Sequence, residues 1–328
     1  MLKASRLQAI IDKAVDRKRI FGTSFCVRTI QDLWLGASGN LETHSQFFIA
    51  STTKLFVSAI IHQLRHQMKL TLDDRVSSYL DPALLRGLAV VNGVDYFNSI
   101  SIKNLLAHTS GIPDYFTQES QDGQCLEQAL MRGTDQSWNI ETVIRKARSI
   151  PATFAPNTPK RALYSDTNYQ LLGLLIEKIT QQSFDDVVKE RICEPLGLEN
   201  TYMYRSPNDE RPADFYFGSK PLHIPHAMTS FTADGGMVST ANDLMTFLRA
   251  FFTGRFFPVT YLPQMYSWNP IFSPVQAGIG IHLFALPWYM NPFKAVPDCI
   301  GHSGLSGTIA FYAPSKNIFV TGTVNQVA

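Results

Sequence analysis

Phe47-Phe48-Ile49-Ala50-Ser51-Thr52-Thr53-Lys54 is an apolar, strand-like run that turns into a helix at a serine, with a lysine one turn further on. Leu55 to Leu64 continues with helical periodicity. A separation of three residues puts Ser51 and Lys54 on the same helix face. A serine hydroxyl is a poor nucleophile until a base takes its proton. A lysine amine serves as that base where burial or a nearby cation lowers its pKa. A helix N-terminus adds free N–H groups and partial positive charge, which favour the anion formed in acyl transfer. On its own the motif reads more simply as an N-cap serine followed by an exposed lysine. Such short matches arise by chance on the order of once in a chain of this composition.

Working outward, Leu7, Ile10, Ile11 and Val15 recur at helical spacing, with Asp12 and Lys13 between them. That pattern predicts an amphipathic helix rather than a secretory leader. Gly22 to Ile30 reads as a strand, and Gln31 to Leu35 as its neighbour across a tight turn. The middle is mostly helical, with helices expected over Ile102 to Leu106, Tyr169 to Ile179 and Ala241 to Phe252. Strands return at Gly280 to Leu286, Thr308 to Tyr312 and Ile318 to Val324, the last two joined by Pro314-Ser315-Lys316-Asn317. The expected class is α+β. Residues 1–50 and 270–328 build one antiparallel sheet flanked by helices. Residues 51–269 form a mostly helical lobe, and the active site lies between the two in a single catalytic domain.

Composition narrows the function. In 328 residues, 45% are hydrophobic and 17% charged, as in a globular protein with a large core. The 29 basic and 27 acidic residues leave a net charge of +2, which argues against nucleic acid or an anionic membrane as a charge-driven partner. No apolar run approaches a membrane span, and the expected location is cytoplasmic. Cys26, Cys125, Cys193 and Cys299 are far apart with no C-x-x-C pair, so reduced thiols are expected. The eight histidines form no H-E-x-x-H, and neither a metal nor any other cofactor is implied.

Two further stretches carry chemistry. Tyr164-Ser165-Asp166 ends a loop just before a helix, where a tyrosine can reach into a cleft and act as a base. It also reads as a buried tyrosine closing the helical lobe. His302-Ser303-Gly304 precedes the strand from Thr308, and its small residues let backbone approach a substrate closely. It also reads as a plain tight turn.

Taken together and in this order, the three stretches resemble the serine β-lactamase and penicillin-binding-protein superfamily, in the branch of class C β-lactamases, DD-peptidases and related esterases. Ser51-Thr52-Thr53-Lys54 matches its S-x-x-K. Tyr164-Ser165-Asp166 stands where the branch carries Y-x-N or Y-S-D, and His302-Ser303-Gly304 where it carries K-T-G, H-T-G or H-S-G. Leu105-Leu106-Ala107-His108-Thr109-Ser110-Gly111, Glu194-Pro195-Leu196-Gly197-Leu198 and Gly235-Gly236-Met237-Val238-Ser239-Thr240 extend the likeness from about Gly22 to Asn325.

The resemblance implies an acyl-enzyme on Ser51, with Lys54 and Tyr164 moving its proton and His302 beside the oxyanion site. The N–H groups of Ser51 and Leu305 would form that site, and Asp166, Ser303, Gly304 and Leu305 would bind substrate. Asp166 in place of Asn, and His302 in place of Lys, fit a small-ester or D-amino-acid amide hydrolase better than a β-lactamase or DD-carboxypeptidase. A penicillin-binding sensor or scaffold without turnover is the alternative of another class. Tyr115, Phe231, Trp268 and Trp288 are candidates to line an acyl pocket or to pack in the core. Relatives usually continue into a C-terminal helix beyond the point reached by Ala328: the alternatives are that further residues follow here too, or that one sheet face is partly bare and open to a partner subunit.

Overall fold

The computed structural model describes residues 3–290 and 296–327. Both chain ends enter one eight-stranded sheet. Its strands are β1 (Gly22–Arg28), β2 (Leu33–Gly39), β3 (Asn269–Phe272), β4 (Val275–Ala277), β5 (His282–Phe284), β6 (Cys299–Ser303), β7 (Thr308–Ala313) and β8 (Ile318–Thr323). The spatial order is β3-β4-β5-β6-β7-β8-β1-β2, antiparallel throughout. Cys26 faces Thr321 on one side and Leu35 on the other, which joins the two ends of the chain at the middle of β1.

Several boundaries differ from the sequence expectation. β2 starts at Leu33 because residues 29–32 close the hairpin: Thr29 N–H donates to Asp32 O at 2.9 Å, and Asp32 N–H to Thr29 Oγ1 at 3.0 Å. β5 begins only at His282 because Gly280, at φ 75°, turns its N–H to Leu106 O at 3.1 Å. β3, at the sheet edge, and β4 beside it are too short for an alternation to show, and Pro270 in β3 removes a ladder donor. The run before Ser51 is a strand in a different sheet from the one expected. Gln46–Phe48 lies between Met237–Ser239 and Pro212–Ala213 in a second, four-stranded sheet. Ser306 Oγ and Thr308 Oγ1 both donate to Phe48 O, at 2.6 and 3.1 Å, and tie the two sheets together.

Helices cover both faces of the main sheet. On the outer face α1 (Ala4–Ala14) lays Leu7 and Ile11 over Val27 and Trp34. On the inner face lie α5 (Ala241–Phe252) and α2 (Thr53–His66), with α4 (Asp166–Thr180) packed on α2 and α3 (Ile102–Leu106) on α4. Phe56 of α2 stacks on Phe247 of α5 at 3.7 Å between centroids, and both are fully buried. Burial of one such side chain stabilises by about 2 kcal/mol. Thr321 Oγ1 donates to Ala241 O at 2.7 Å and fixes the start of α5 on β8. Among the described residues no helix is long and apolar enough to cross a membrane. The four cysteines are free thiols.

Candidate active site

The turn that carries Ser51 is held from both sides. Ile49 N–H donates to Met237 O at 3.0 Å, which ends the short strand. Ala50 then adopts φ 44°, in the left-handed region that a residue with a Cβ rarely occupies. That sharp bend starts a single 3-10 turn, Ala50–Thr52, which runs on into α2. On the other side, a Cβ at Gly304 would strike the Ile49 carbonyl oxygen and lie 3.0 Å from Ala50 Cβ. Only glycine lets the residues after β6 come this close to the serine.

Lys54 is fully buried, and its amine is surrounded by oxygen. Nζ lies 3.0 Å from Ser51 Oγ, 2.5 Å from Asp234 O and 2.5 Å from Asp166 Oδ1. The Tyr164 hydroxyl donates to Ser51 Oγ at 2.7 Å. Serine, lysine and tyrosine, which lie on two separate stretches of chain, therefore meet at one oxygen. Burial, and next the Asp166 carboxylate, push the Tyr164 phenol well above its usual pKa, so it stays protonated at neutral pH. Lys54 Nζ also lies 5.2 and 5.3 Å from the ring centroids of Tyr164 and Tyr169.

The segment from His108 to Tyr115 clamps Tyr164 and the start of α4. Ser165, at the N-cap of α4, makes no side-chain cap. Asp114 takes over that role from outside the helix, accepting from Asp166 N–H at 2.9 Å. Ser165 N–H donates to His108 Nδ1 at 3.1 Å, and Thr167 Oγ1 to Pro113 O at 2.7 Å. Asp114 is fully buried. Desolvation, and next the Asp166 charge, raise its carboxyl to about 7. Asp234 is buried too, and desolvation followed by Asp166 raises its pKa. Its carboxylate accepts from Tyr115 OH at 2.7 Å and from Thr232 N–H at 2.9 Å.

Three imidazoles back the tyrosine. His108 stacks on Tyr164 at 4.6 Å, and His282 of β5 stacks on His302 of β6 at 3.9 Å. His302 Nδ1 donates to Ser303 O at 2.7 Å, which leaves a lone pair on Nε2. Nε2 of His108, His282 and His302 are all buried and without a hydrogen-bond partner. Burial, with Lys54 nearby, depresses all three pKa values, that of His282 to about 3. An unperturbed histidine carries a positive charge below about 6.5. In the fold burial and the neighbouring His282 and Lys54 keep this ring neutral.

These groups open onto a cavity of about 340 Å³. Ser51, Tyr164, Asp166, His302, Ser303, Gly304 and Leu305 line it, and Lys54 sits behind Ser51. Asp166, expected to bind substrate, lines the cavity and also pairs with Lys54. Of the aromatics singled out from sequence, Phe231 lines the cavity. Tyr115 is buried behind it at Asp234, and Trp288 is 80% exposed. Asp114, Asp234, Glu127 and His282 escaped the sequence reading. Pro113-Asp114-Tyr115, directly after the His108 motif, was the available signal for Asp114. No motif pointed to His282.

Comparison with known proteins places the chain in a family. A family model described as Beta-lactamase matches residues 7–328. An N-acetylmuramyl-L-alanine amidase of Bacillus subtilis (strain 168) is 23% identical over 323 residues, covering 87% of this chain and 69% of that protein. A crystal structure of a D-stereospecific amidohydrolase from Streptomyces sp. superposes with a TM-score of 0.82 at 25% identity, covering 99% of this chain and 94% of that one. A hydrolase with promiscuous acyltransferase activity shares the fold with a TM-score of 0.79 at 21% identity, covering 99% and 93%. With Ser51, Lys54 and Tyr164 in mutual contact inside that match, the chain belongs to the Beta-lactamase family of serine hydrolases.

Proposed function

We propose that Ser51 is the nucleophile of an esterase or amidase that forms an acyl-enzyme on small esters or amides. The observation that carries this is the position of Ser51 Oγ, 3.0 Å from Lys54 Nζ and 2.7 Å from Tyr164 OH. Asp234 O and Asp166 Oδ1 accept two N–H bonds of Lys54, and its third valence faces Ser51. Through that valence Lys54 takes the serine proton as Oγ attacks the carbonyl. The ammonium so formed lies against Asp166, much as a carboxylate steadies the cationic base of a catalytic triad. The Tyr164 phenol, kept protonated, donates to the leaving group and regains a proton from the attacking water. The N–H groups of Ser51 and Leu305 hold the oxyanion, a contribution of about 3 kcal/mol to the barrier for each donor.

Likeness to an N-acetylmuramyl-L-alanine amidase and a D-stereospecific amidohydrolase supports amides as substrates besides esters. Hydrolysis of 4-nitrophenyl butyrate, with loss of turnover in Ser51→Ala, is the test. A fluorophosphonate adduct mapped to Ser51 locates the nucleophile. Retained turnover in Ser51→Ala would exclude the mechanism. Rapid nitrocefin opening would move the reading to β-lactamase, and an adduct without turnover to a sensor.

A further inference from the structure

A lysine amine sits on a flexible stem, so the aim of Lys54 at Ser51 depends on what holds its nitrogen. Asp166 Oδ1 and Asp234 O do so, each at 2.5 Å. Asp166 stands in the first turn of α4. Asp234 stands in a loop, residues 232–236, that runs into Gly235 and Gly236. That loop closes on itself. Gly235 and Gly236 N–H donate to Thr232 O at 3.2 and 2.9 Å, and Thr232 N–H donates to Asp234 Oδ1 at 2.9 Å. Those bonds shape the loop and do not fix its distance from α4. Tyr115 is the bridge. Its hydroxyl donates to Asp234 Oδ2 at 2.7 Å, and its main-chain N–H donates to Thr167 Oγ1 at 3.1 Å, next to Asp166 in α4. Tyr115 is 1% exposed and sits behind the cavity wall. Burial, and next the Asp234 charge, hold its phenol well above the usual pKa, so it keeps the proton it donates. Thr232 Oγ1 also reaches α4, donating to Gln170 Oε1 at 2.7 Å, but it holds the loop two residues before the carbonyl that meets Lys54.

We infer that Tyr115 is a positioning residue for the general base: by tying the Asp234 side chain to the first turn of α4, it sets the Asp234 carbonyl and Asp166 at the spacing that aims the Lys54 nitrogen at Ser51 Oγ. This rests on the hydrolase reading and goes beyond it, since Tyr115 acts through Asp234 and Lys54 rather than on the reacting atoms. Without the hydroxyl, the two acceptors no longer move as one body and the amine spends less time in line with the serine. Proton transfer slows, while the walls that bind the acyl group keep their shape. Small losses of alignment of this kind are costly in rate because the reacting groups must already be in place when the bond forms.

A double-mutant cycle read with 4-nitrophenyl butyrate tests it. Tyr115→Phe removes the hydroxyl and keeps the ring. It should lower kcat about tenfold with KM within about threefold, since acylation and deacylation both move a proton through Lys54. The rate at which a fluorophosphonate labels Ser51 should fall by a similar factor, because labelling needs the aimed base and not the acyl-binding walls. Asp234→Ala should lose about as much. Adding Tyr115→Phe to it should cost less than about twofold more, because the hydroxyl then has no acceptor to hold. Tyr202→Phe breaks a like bond, to Asp209 Oδ2 at 2.8 Å, away from the cavity, and should leave kcat unchanged. Unchanged kcat in Tyr115→Phe, a loss carried by KM alone, or full additivity in the double variant overturns the proposal and leaves the hydrolase intact. If Asp234→Ala does not fold, the kcat and KM of Tyr115→Phe and its labelling rate decide alone. No turnover by the parent chain removes the hydrolase reading itself.

Discussion

α2 buries two basic side chains, and they live very differently. Lys54, in its first turn, is fully buried with Ser51, Asp166 and the Asp234 carbonyl on its amine. His62, two turns later, is equally buried, and neither of its ring nitrogens has a hydrogen-bond partner. It packs against Phe257 and Tyr261, with centroids 5.1 and 6.0 Å away. Burial followed by Arg65 depresses its pKa to about 3. A buried polar group with its partners is bound into a network that costs dearly to break, whereas one without partners is a standing loss of stability. The comparison separates function from tolerance: polar burial marks the site only where other groups converge on it.

Changing Lys54 gives the largest effect. Lys54→Met should cut ester turnover by at least about 10³-fold. It should also destabilise the fold by about 3–5 kcal/mol, because Asp166 is left buried and unpaired. The double variant Lys54→Met/Asp166→Asn should regain most of that stability in urea titration while staying inactive. If the double variant is no more stable than the single one, the ion pair does not hold Asp166 in the fold. Tyr164→Phe comes next, with turnover down by about 10²–10⁴-fold and little change in the urea midpoint. Near-normal turnover in that variant would take the phenol out of the mechanism.

At the other end of α2 the sign reverses. His62→Leu keeps a similar volume, removes two unsatisfied nitrogens and should stabilise by about 1–2 kcal/mol, with ester turnover unchanged. A lower melting temperature would show that the ring has a partner in solution. The smallest expected effect is in the pH profile. In the unfolded chain His62 and His282 protonate near 6.5, but in the fold they do so only near 3. Their contribution to stability is whole above about pH 6.5 and drains away as pH falls toward 3. Asp114 works the other way: its pKa is raised from 3.8 to about 7, so its contribution is whole below about 3.8 and lost as pH climbs to 7. Melting temperature followed from pH 7 to 4 should therefore fall less steeply in His62→Leu than in the parent chain.

The contrast also shows what the sequence could disclose. Ser51 and Lys54 were legible because a helix repeats every 3.6 residues, so their proximity is local geometry. α3 and α5 were legible for similar reasons, since Ser101 and Thr240 cap runs of clear period. Tyr164 and His302 stood out locally as candidates, but only the resemblance brought them to Ser51, as nothing local says that a loop end and a sheet strand meet there. Asp114, Asp234 and His282 come from three further segments, and only the folded chain brings them to Lys54 or His302. An apolar run placed Phe47 and Phe48 in a strand, but it carries no information on which sheet receives it.

Gly304 makes the width of the active-site mouth a matter of main chain alone. The strand end carrying Ser303 to Leu305 rests directly on the Ile49 carbonyl and Ala50, with no side chain as a spacer. Residues on the walls, such as Phe116, Leu130 and Met131, can then be exchanged to suit other acyl groups without moving the nucleophile relative to the opposite rim. A redesign of selectivity has free play in the upholstery, so long as that one hinge-pin of bare backbone is left in place.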